Sequence, residues 1–232
     1  MYTVLKSIAG PHPEPTFPAS GVDQAFEARR SRGRMYPITV IYLAGFAALA
    51  WFAVRSGHTV RLIALSGLAV FLWTLLEYSF HRWLFHRPFP RGERLGSRVL
   101  HYLFDALHAD HHARPWDGYF INGHLDTLIV ASVAVPLSFL APPYTASVVV
   151  MAIFACYAVY EWSHHALHFW NLDFAYFQYL RRRHLYHHSR HGVGVAYGIT
   201  SGIWDTVFGT RIPAAERQRL TSGREAAAAQ IL

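Results

Sequence analysis

Four uncharged apolar stretches constrain the fold of this chain more than any other feature of its sequence. They occupy residues 38–54, 62–76, 128–140 and 144–160. A helix that crosses a bilayer needs about 20 mostly apolar residues, with a lower limit near 17. The first and fourth stretches reach this limit alone, the second reaches it with the next two residues, and the third falls short. The sequence therefore predicts an all-α integral membrane protein with four transmembrane helices, over about residues 38–54, 62–78, 125–140 and 144–161.

Short connections pair these helices into two hairpins whose turns lie on the same side of the membrane. The turns span residues 55–61 and 141–143, and nineteen of the 21 Lys and Arg residues lie outside them. Because cationic residues accumulate in cytoplasmic segments, we expect the long segments to be cytoplasmic. The predicted organisation is a polar basic arm (1–36), a membrane domain (37–212) with a cytoplasmic helical cap (79–124 and 163–212), and a tail (213–232).

Composition excludes several classes of protein. Hydrophobic residues make up 53% of the chain and charged residues 15%, against about 25% charged in soluble domains. The single cysteine, Cys156, excludes a disulfide scaffold and a cysteine-based zinc site. We expect no nucleic-acid partner, because the aromatic residues lie in the spans and among histidines rather than in a basic groove. The Arg-rich, Lys-poor usage favours a GC-rich genome, and we expect a bacterial inner membrane rather than the endoplasmic reticulum.

Ten of the sixteen histidines fall into four clusters within the two predicted cytoplasmic segments. His81 and His86 form H-x4-H after the second stretch, and His164 and His168 form H-x3-H after the fourth. The other two clusters are H-x2-H-H, formed by His108, His111 and His112 and by His184, His187 and His188.

The spacing of these clusters predicts metal ligands. Residues three and four apart share one helix face, so three of the clusters each present a stripe of imidazoles. His81 and His86 lie about 140° apart on an ideal helix and converge only at a bend or a helix end, which Pro88 and Pro90 favour. Imidazole suits Zn, Cu, Fe and Ni, and ten ligands suit two ions at about five each. Nucleophile-elbow, phosphate-loop and dinucleotide motifs are absent from the sequence. A redox metal centre beside apolar helices therefore fits the oxidation of a lipid C–H bond.

These motifs resemble those of the fatty acid hydroxylase/sterol desaturase superfamily of membrane di-iron oxygenases. Residues 77–86 (EYSFHRWLFH) are similar to its first histidine box, 108–112 (HADHH) to the second, and 164–168 (HHALH) and 183–188 (RHLYHH) to the later boxes. Residues 115–118 (PWDG) resemble the fatty acid 2-hydroxylase branch, and residues 197–210 (YGITSGIWDTVFGT) are similar to the glycine-rich closing motif of the family. The resemblance covers about residues 70–212.

The resemblance implies two iron ions, for which zinc can substitute in preparations, and O2 as co-substrate. The implied ligands are His81, His86, His108, His111, His112, His164, His168, His184, His187 and His188. It also implies electrons from a donor. We expect no fused haem domain of the kind that eukaryotic members often have, and therefore a separate ferredoxin or b-type cytochrome with its reductase.

Five carboxylates are candidates for orienting the histidines, since a ligating histidine usually gives its other ring N–H to a carboxylate or a carbonyl. They are Glu77, one turn before His81, Glu161, three residues before His164, and Asp110, Asp117 and Asp205. Interfacial capping or an ordinary ion pair is the open alternative for Glu77 and Glu161. We predict no side chain as a general acid or base.

The function implied by the resemblance is O2-dependent hydroxylation of a fatty acyl chain of a membrane lipid, near its carboxyl or head-group end. A sterol or hopanoid oxidase or desaturase of the same superfamily is the alternative, because hydroxylation and desaturation begin with the same hydrogen abstraction. A zinc-handling membrane protein is the third alternative. A transporter would place its ligands near the bilayer midplane, whereas these histidines follow the apolar stretches.

Overall fold

The computed structural model describes residues 21–87, 94–101, 107–121, 126–189 and 191–220, whose regular structure is helical. The helices are α1 (Gln24–Arg55), α2 (Thr59–Ser79) with a π-helical continuation (Phe80–Phe85), α3 (Leu95–Leu100), α4 (Leu107–Ala113), α5 (Gly118–Ile121), α6 (Asp126–Ser138), α7 (Ala146–Phe169), α8 (Ala175–His187) and α9 (Ile203–Val207). Residues 214–220 add a further helical segment, and the rest of the predicted tail lies outside the described residues.

Three helices in the described part of the chain are long and apolar enough to cross a bilayer: Gln24–Arg55, Thr59–Phe85 and Ala146–Phe169. The predicted fourth full span, over 125–140, is not confirmed, because α6 has 13 residues in the described part of the chain. At 1.5 Å per residue it is ~20 Å long, against a hydrocarbon core of about 30 Å. Pro136 lies in its last turn, and Pro142 and Pro143 follow; proline lacks the N–H that continues a helix.

Large apolar side chains face outward on the long helices. Trp51, Phe52, Ile63 and Phe71 are each more than half exposed. A surface of this kind is stable in contact with lipid, where the helical backbone satisfies its own hydrogen bonds. These apolar helices indicate an integral membrane protein.

Helix α7 is the centre of the bundle and contacts α1, α2, α6 and α8. Ile38 and Tyr42 of α1 pack with Ala131 of α6 and Ala158 of α7. Nearer the turns, Leu49 packs with Val148 and Met151 of α7. At the opposite end, Ala166, Leu167, Phe177, Leu180 and Ile199 form a third cluster. The shared packing on α7 brings the ends of α2, α7 and α8 together.

The two hairpin turns contact each other, as the sequence predicts for turns on one side of the membrane. The Arg61 guanidinium donates to the Pro143 carbonyl at 3.1 Å. Ser56 Oγ lies 3.1 Å from the Tyr144 hydroxyl, and the His58 ring packs 4.9 Å from the Tyr144 ring. The histidine clusters therefore gather at the other end of the bundle.

Helix α1 includes the basic end of the predicted arm. It starts at Gln24 and continues through Pro37, so residue 36, the predicted end of the arm, lies inside the helix. Asp23 caps it by accepting a bond from the Phe26 amide at 3.0 Å. The polar first turns have their own partners, since Glu27 Oε2 accepts the Gly118 N–H at 2.8 Å. The arm is therefore partly a continuation of the first span.

Several histidines lie near the ends of the long helices. His164 and His168 lie on the last turns of α7, and His81 lies on the π-helical continuation of α2. The apolar helices themselves carry part of the histidine set.

We expect Gly118→Ala to destabilise the packing of α5 on α1. A Cβ at this position would lie 2.0 Å from the Glu27 carbonyl oxygen and 3.0 Å from the Ser31 amide nitrogen. Because both are backbone atoms of a helix, relief requires a helix shift, at a cost of about 1–3 kcal/mol. The measurement is the thermal unfolding midpoint in detergent.

Gly33→Ala on α1 is the matched control. A Cβ there meets nothing within 4 Å, and alanine is a better helix former by about 1 kcal/mol. Equal midpoints for the two variants would contradict the assigned contact.

Candidate metal centre

The ten predicted histidines gather in two groups of five. The first group is His81, His86, His108, His112 and His187, and the second is His111, His164, His168, His184 and His188. Within each group, one ring nitrogen from every histidine lies within 4.8 Å of the others. The ring centroids of His112 and His188 are 4.3 Å apart, so the two groups are neighbours.

Each H-x2-H-H cluster divides between the two groups. His108 and His112 of α4 join the first group, whereas His111 joins the second. On α8 the division is reversed, with His187 in the first group and His184 and His188 in the second. Positions i and i+4 lie one above the other, while the residue next to one of them lies about 100° around the helix. Helices α4 and α8 therefore both run between the groups.

A π-helix brings the His81 and His86 rings together although they are five residues apart. The sequence requires a bend or a helix end here, and the structure has the π-helical segment Phe80–Phe85 with His86 as its C-cap. Its i→i+5 hydrogen bonds make a wider turn, so residues five apart approach one face. The His81 and His86 ring centroids lie 5.1 Å apart. Pro88 and Pro90 lie outside the described residues.

The nitrogen spacing fits metal ions with more than four ligands. Nε2 atoms within a group approach to 2.9 Å (His86 and His187), 3.1 Å (His86 and His108), 3.0 Å (His111 and His164), 2.8 Å (His168 and His184) and 3.1 Å (His184 and His188). Two nitrogens at about 2.1 Å from one ion lie about 3.0 Å apart at a right angle and about 3.4 Å apart in a tetrahedron. The observed distances match the right angle.

Burial holds these rings in the neutral form that binds metals. Desolvation, aided by neighbouring histidines, lowers the pKa well below its ordinary value for His108, His111, His112, His184 and His188. Desolvation also lowers the pKa of His187 to about 4, against the opposing effect of its bond to the Val195 carbonyl. A neutral imidazole offers the lone pair that a metal ion requires.

Backbone carbonyls orient two histidines of the first group. His81 Nδ1 donates to the Tyr197 carbonyl at 2.5 Å, and His187 Nδ1 donates to the Val195 carbonyl at 2.7 Å. A ring whose Nδ1 carries the donated proton keeps the Nε2 lone pair for a metal ion. In the second group, His111, His168, His184 and His188 have buried Nδ1 atoms with no hydrogen-bond partner among the described residues.

Glu77 holds the segment that supplies these carbonyls. Its Oε1 accepts the amides of Ile199 at 2.6 Å and Thr200 at 2.8 Å, and its Oε2 accepts the Thr200 hydroxyl. The sequence suggested that this carboxylate orients a histidine. In the structure the Tyr197 carbonyl bonds to His81, and Glu77 anchors the chain just beyond that carbonyl.

Asp205 anchors the same segment from the other side. Its Oδ1 accepts the Tyr197 amide at 2.8 Å and the Thr210 hydroxyl at 2.8 Å. Its Oδ2 accepts the Gly198 amide at 3.0 Å and pairs with the Arg183 guanidinium. Asp205 is 1% exposed, so this buried network is satisfied on both oxygens. The aspartate therefore acts on His81 through the Tyr197 backbone.

Asp117 and Glu161 are two further predicted carboxylates. Asp117 Oδ1 accepts the Arg30 guanidinium at 3.1 Å and the Tyr119 amide at 2.9 Å. These contacts tie α5 to α1, and a role for Asp117 beside a histidine stays a prediction. Glu161 is buried on α7, three residues before His164, and its role in orienting a histidine stays a prediction.

Sequence reasoning missed Val195, Tyr197 and Arg183 as parts of the site. Two of them act through backbone carbonyls, which no side-chain pattern reveals. The available signal was the run of small and turn-forming residues around Gly198. A Cβ at Gly198 would lie 1.8 Å from the Ser201 carbonyl oxygen and 3.0 Å from Asp205 Oδ2, so the fold of this segment requires glycine there.

Comparisons with known proteins agree on one family. A family model described as fatty acid hydroxylase matches residues 66–210. A dihydroceramide fatty acyl 2-hydroxylase of Arabidopsis thaliana is 38% identical over 145 residues, which are 61% of this chain and 57% of that protein. A ceramide very long chain fatty acid hydroxylase of Schizosaccharomyces pombe is 32% identical over 150 residues, 63% of this chain and 42% of that protein.

A solved structure is also similar. Full-length Scs7p, in which only the hydroxylase domain is visible, matches with a TM-score of 0.66 and 28% identity, over 77% of this chain and 67% of that chain. The chain spans 57% and 42% of the length of the two curated relatives above.

We expect Asp205→Asn to weaken metal binding by the first group. The new amide NH2 would face the N–H and O–H donors that now bond to the Asp205 oxygens, and Arg183 would lose its counter-charge. The 197–198 backbone would then shift, and with it the Tyr197 carbonyl that bonds to His81. Loss of an orienting partner typically lowers metal affinity about 10- to 100-fold. The measurement is metal content per chain after dialysis against a graded series of chelator concentrations.

Asp110→Asn is the matched control, because this aspartate lies beside His111 yet pairs with Arg114 at the surface, 3.2 Å away. Wild-type metal retention in Asp205→Asn, or the same loss in both variants, would contradict the positioning role.

Proposed function

The chain belongs to the fatty acid hydroxylase family, and from this membership we propose that it is an O2-dependent di-iron hydroxylase that inserts a hydroxyl group into a fatty acyl chain of a membrane lipid. The carbon attacked lies near the carboxyl or head-group end. The observation that carries the proposal is the pair of five-histidine groups at one end of apolar helices. The named relatives act on fatty acyl and ceramide lipids, which supports the same substrate class here.

The metal ligands in this proposal are the ten histidines of the two groups: His81, His86, His108, His112 and His187 for one ion, and His111, His164, His168, His184 and His188 for the other. When bound, two iron ions would supply the activation of O2 and the attack on an unactivated C–H bond. Zinc competes for the same ligands, because it lies above Fe(II) in the affinity order. The histidines hold the ions and stay neutral, so they serve neither as acid nor as base.

The protein's own contribution is to hold the histidines rigidly and to keep water out. Glu77 and Asp205 fix the 195–200 segment, whose carbonyls set the tautomer and direction of His81 and His187. Towards the bilayer, the rings of Trp73, Tyr157 and Tyr160 pack together between α2 and α7. The Tyr160 ring lies 6.0 Å from that of His164, so an acyl chain that enters between these helices passes this aromatic group to reach the histidines.

The distribution of cationic residues supports the proposed orientation. Nineteen of the 21 Lys and Arg residues lie outside the two hairpin turns, which supports a cytoplasmic position for the histidine end. We place the protein in a bacterial inner membrane, with electrons from a separate ferredoxin or b-type cytochrome and its reductase. A zinc transporter would hold its ligands near the bilayer midplane, whereas these groups lie where the long helices end.

We expect lipids from cells that carry the intact gene to contain an acyl species with one additional oxygen, and cells with His111→Ala to lack it. His111 contacts four other histidines of the second group, so its loss opens the centre of that group. The measurement is mass spectrometry of total lipids from cells grown in air, and fragmentation locates the hydroxyl on the acyl chain.

His191→Ala is the matched control, because this histidine is exposed and outside both groups. A product that lacks two hydrogens would assign desaturation in place of hydroxylation. Wild-type product in His111→Ala, or the same loss in His191→Ala, would contradict the proposal.

A further inference from the structure

We propose that the chain carries an anion site, separate from both histidine groups, that binds the phosphate of an anionic lipid at the membrane surface. The site is a cavity of about 130 Å³ between α8, α9 and the 214–220 segment. Four arginines line it: Arg182, Arg183, Arg211 and Arg217. None of the ten clustered histidines is among its lining residues, so the proposal does not rest on the hydroxylase assignment.

Arg183 places a buried positive charge in the wall of the cavity. Its side chain is 8% exposed and pairs through Nη2 with Asp205. Its other terminal nitrogen, Nη1, is buried and has no hydrogen-bond partner among the described residues. An unsatisfied donor on a buried charged group is costly, and an anion in the adjacent cavity would satisfy it.

Gly202 makes room for this guanidinium. A Cβ at this position would lie 2.1 Å from Arg183 Nη1 and 2.4 Å from the Tyr179 hydroxyl. Gly202 and Tyr179 both line the cavity. Any larger residue would therefore push the guanidinium and the phenol out of the positions from which they border the cavity.

The charge of the lining matches a phosphate group. Among the described residues, Asp205 is the one carboxylate in the lining, and the amides of Tyr197 and Gly198, the Thr210 hydroxyl and Arg183 already occupy its oxygens. With four guanidinium groups against one carboxylate, the described lining carries a positive charge. The planar fork of arginine suits the oxygens of a phosphate, which accept pairs of charge-assisted hydrogen bonds.

The position of α9 points to a lipid as the source of that phosphate. Gly202, at the start of α9, lines the cavity, while Trp204 donates to Thr74 of α2 at 3.0 Å and packs 6.0 Å from the Phe71 ring. Phe71 belongs to a helix long enough to cross the bilayer. On the same short helix, Ile203 and Val207 are 59% and 63% exposed. An apolar surface therefore continues from the span to the edge of the cavity, and basic pockets at such a level bind anionic headgroups.

The test compares lipid retention by the purified full chain and its variants. Each protein is mixed with micelles that contain equal amounts of phosphatidylglycerol and phosphatidylcholine, and the lipids that remain bound are counted by native mass spectrometry. We expect the wild type to retain phosphatidylglycerol preferentially and the double variant Arg211→Gln, Arg217→Gln to lose it by on the order of tenfold, because each surface arginine contributes about a fivefold preference. Arg211 and Arg217 are exposed, so we expect the double variant to fold. Each single variant is expected to show a smaller loss of phosphatidylglycerol.

Arg219→Gln is the matched control. It is on the same helical segment and 78% exposed, and it pairs with Glu216 at 3.2 Å rather than lining the cavity. Wild-type retention in this control supports a specific site, whereas an equal loss would replace the site with diffuse surface charge and overturn the proposal.

Inorganic phosphate provides the second arm. Displacement of phosphatidylglycerol from the wild type by phosphate, but not from the double variant, supports the shared phosphate chemistry. Stabilisation of the wild type by phosphate without any retention of phosphatidylglycerol would overturn the lipid source and assign a soluble anion. Binding of neither probe would overturn the anion site and leave the arginines to an acidic protein partner.

Discussion

The rest of the structure depends on bringing ten neutral imidazole rings into two adjacent groups. Five nitrogen lone pairs that face one another within 4.8 Å repel unless a cation lies between them. The bundle resists this repulsion by placing the rings on helices that are fixed elsewhere. Helix α7 is packed against α1, α2 and α6 along the bundle and against α8 at its histidine end. The C-terminal segment completes the centre, since Glu77 and Asp205 hold the carbonyls that orient His81 and His187.

Much of this arrangement was predictable from local spacing. The i, i+3 and i+4 pattern placed the histidines on helical stripes, and the apolar stretches placed the stripes at the end of a helical bundle. The split of each H-x2-H-H between two groups was not predictable, because it depends on how α4 and α8 are inserted between them. The π-helix at Phe80–Phe85 was likewise hidden, since a five-residue spacing demands a departure from the α-helix without specifying which one.

The contacts that the sequence did not reveal are long-range pairings. Asp117 lies five residues after His112, yet its partner is Arg30, 87 residues away. Glu77 lies one turn before His81, yet it binds backbone amides more than 120 residues later. Glu27, near the start of α1, accepts the amide of Gly118 in the short helix α5. Hydropathy and helical periodicity describe each element alone, and none of these contacts is visible at that level.

The central claim is that the two groups hold two metal ions through nitrogen ligands alone. The most direct test is to load the purified protein with ferrous iron without oxygen, count the iron per folded chain, and determine its ligands by X-ray absorption. The account predicts about two iron ions per chain, each with about five nitrogen neighbours, and a loss confined to one ion when His164, of the second group, is replaced by alanine. A single ion per chain, or a closed four-ligand site, would contradict it.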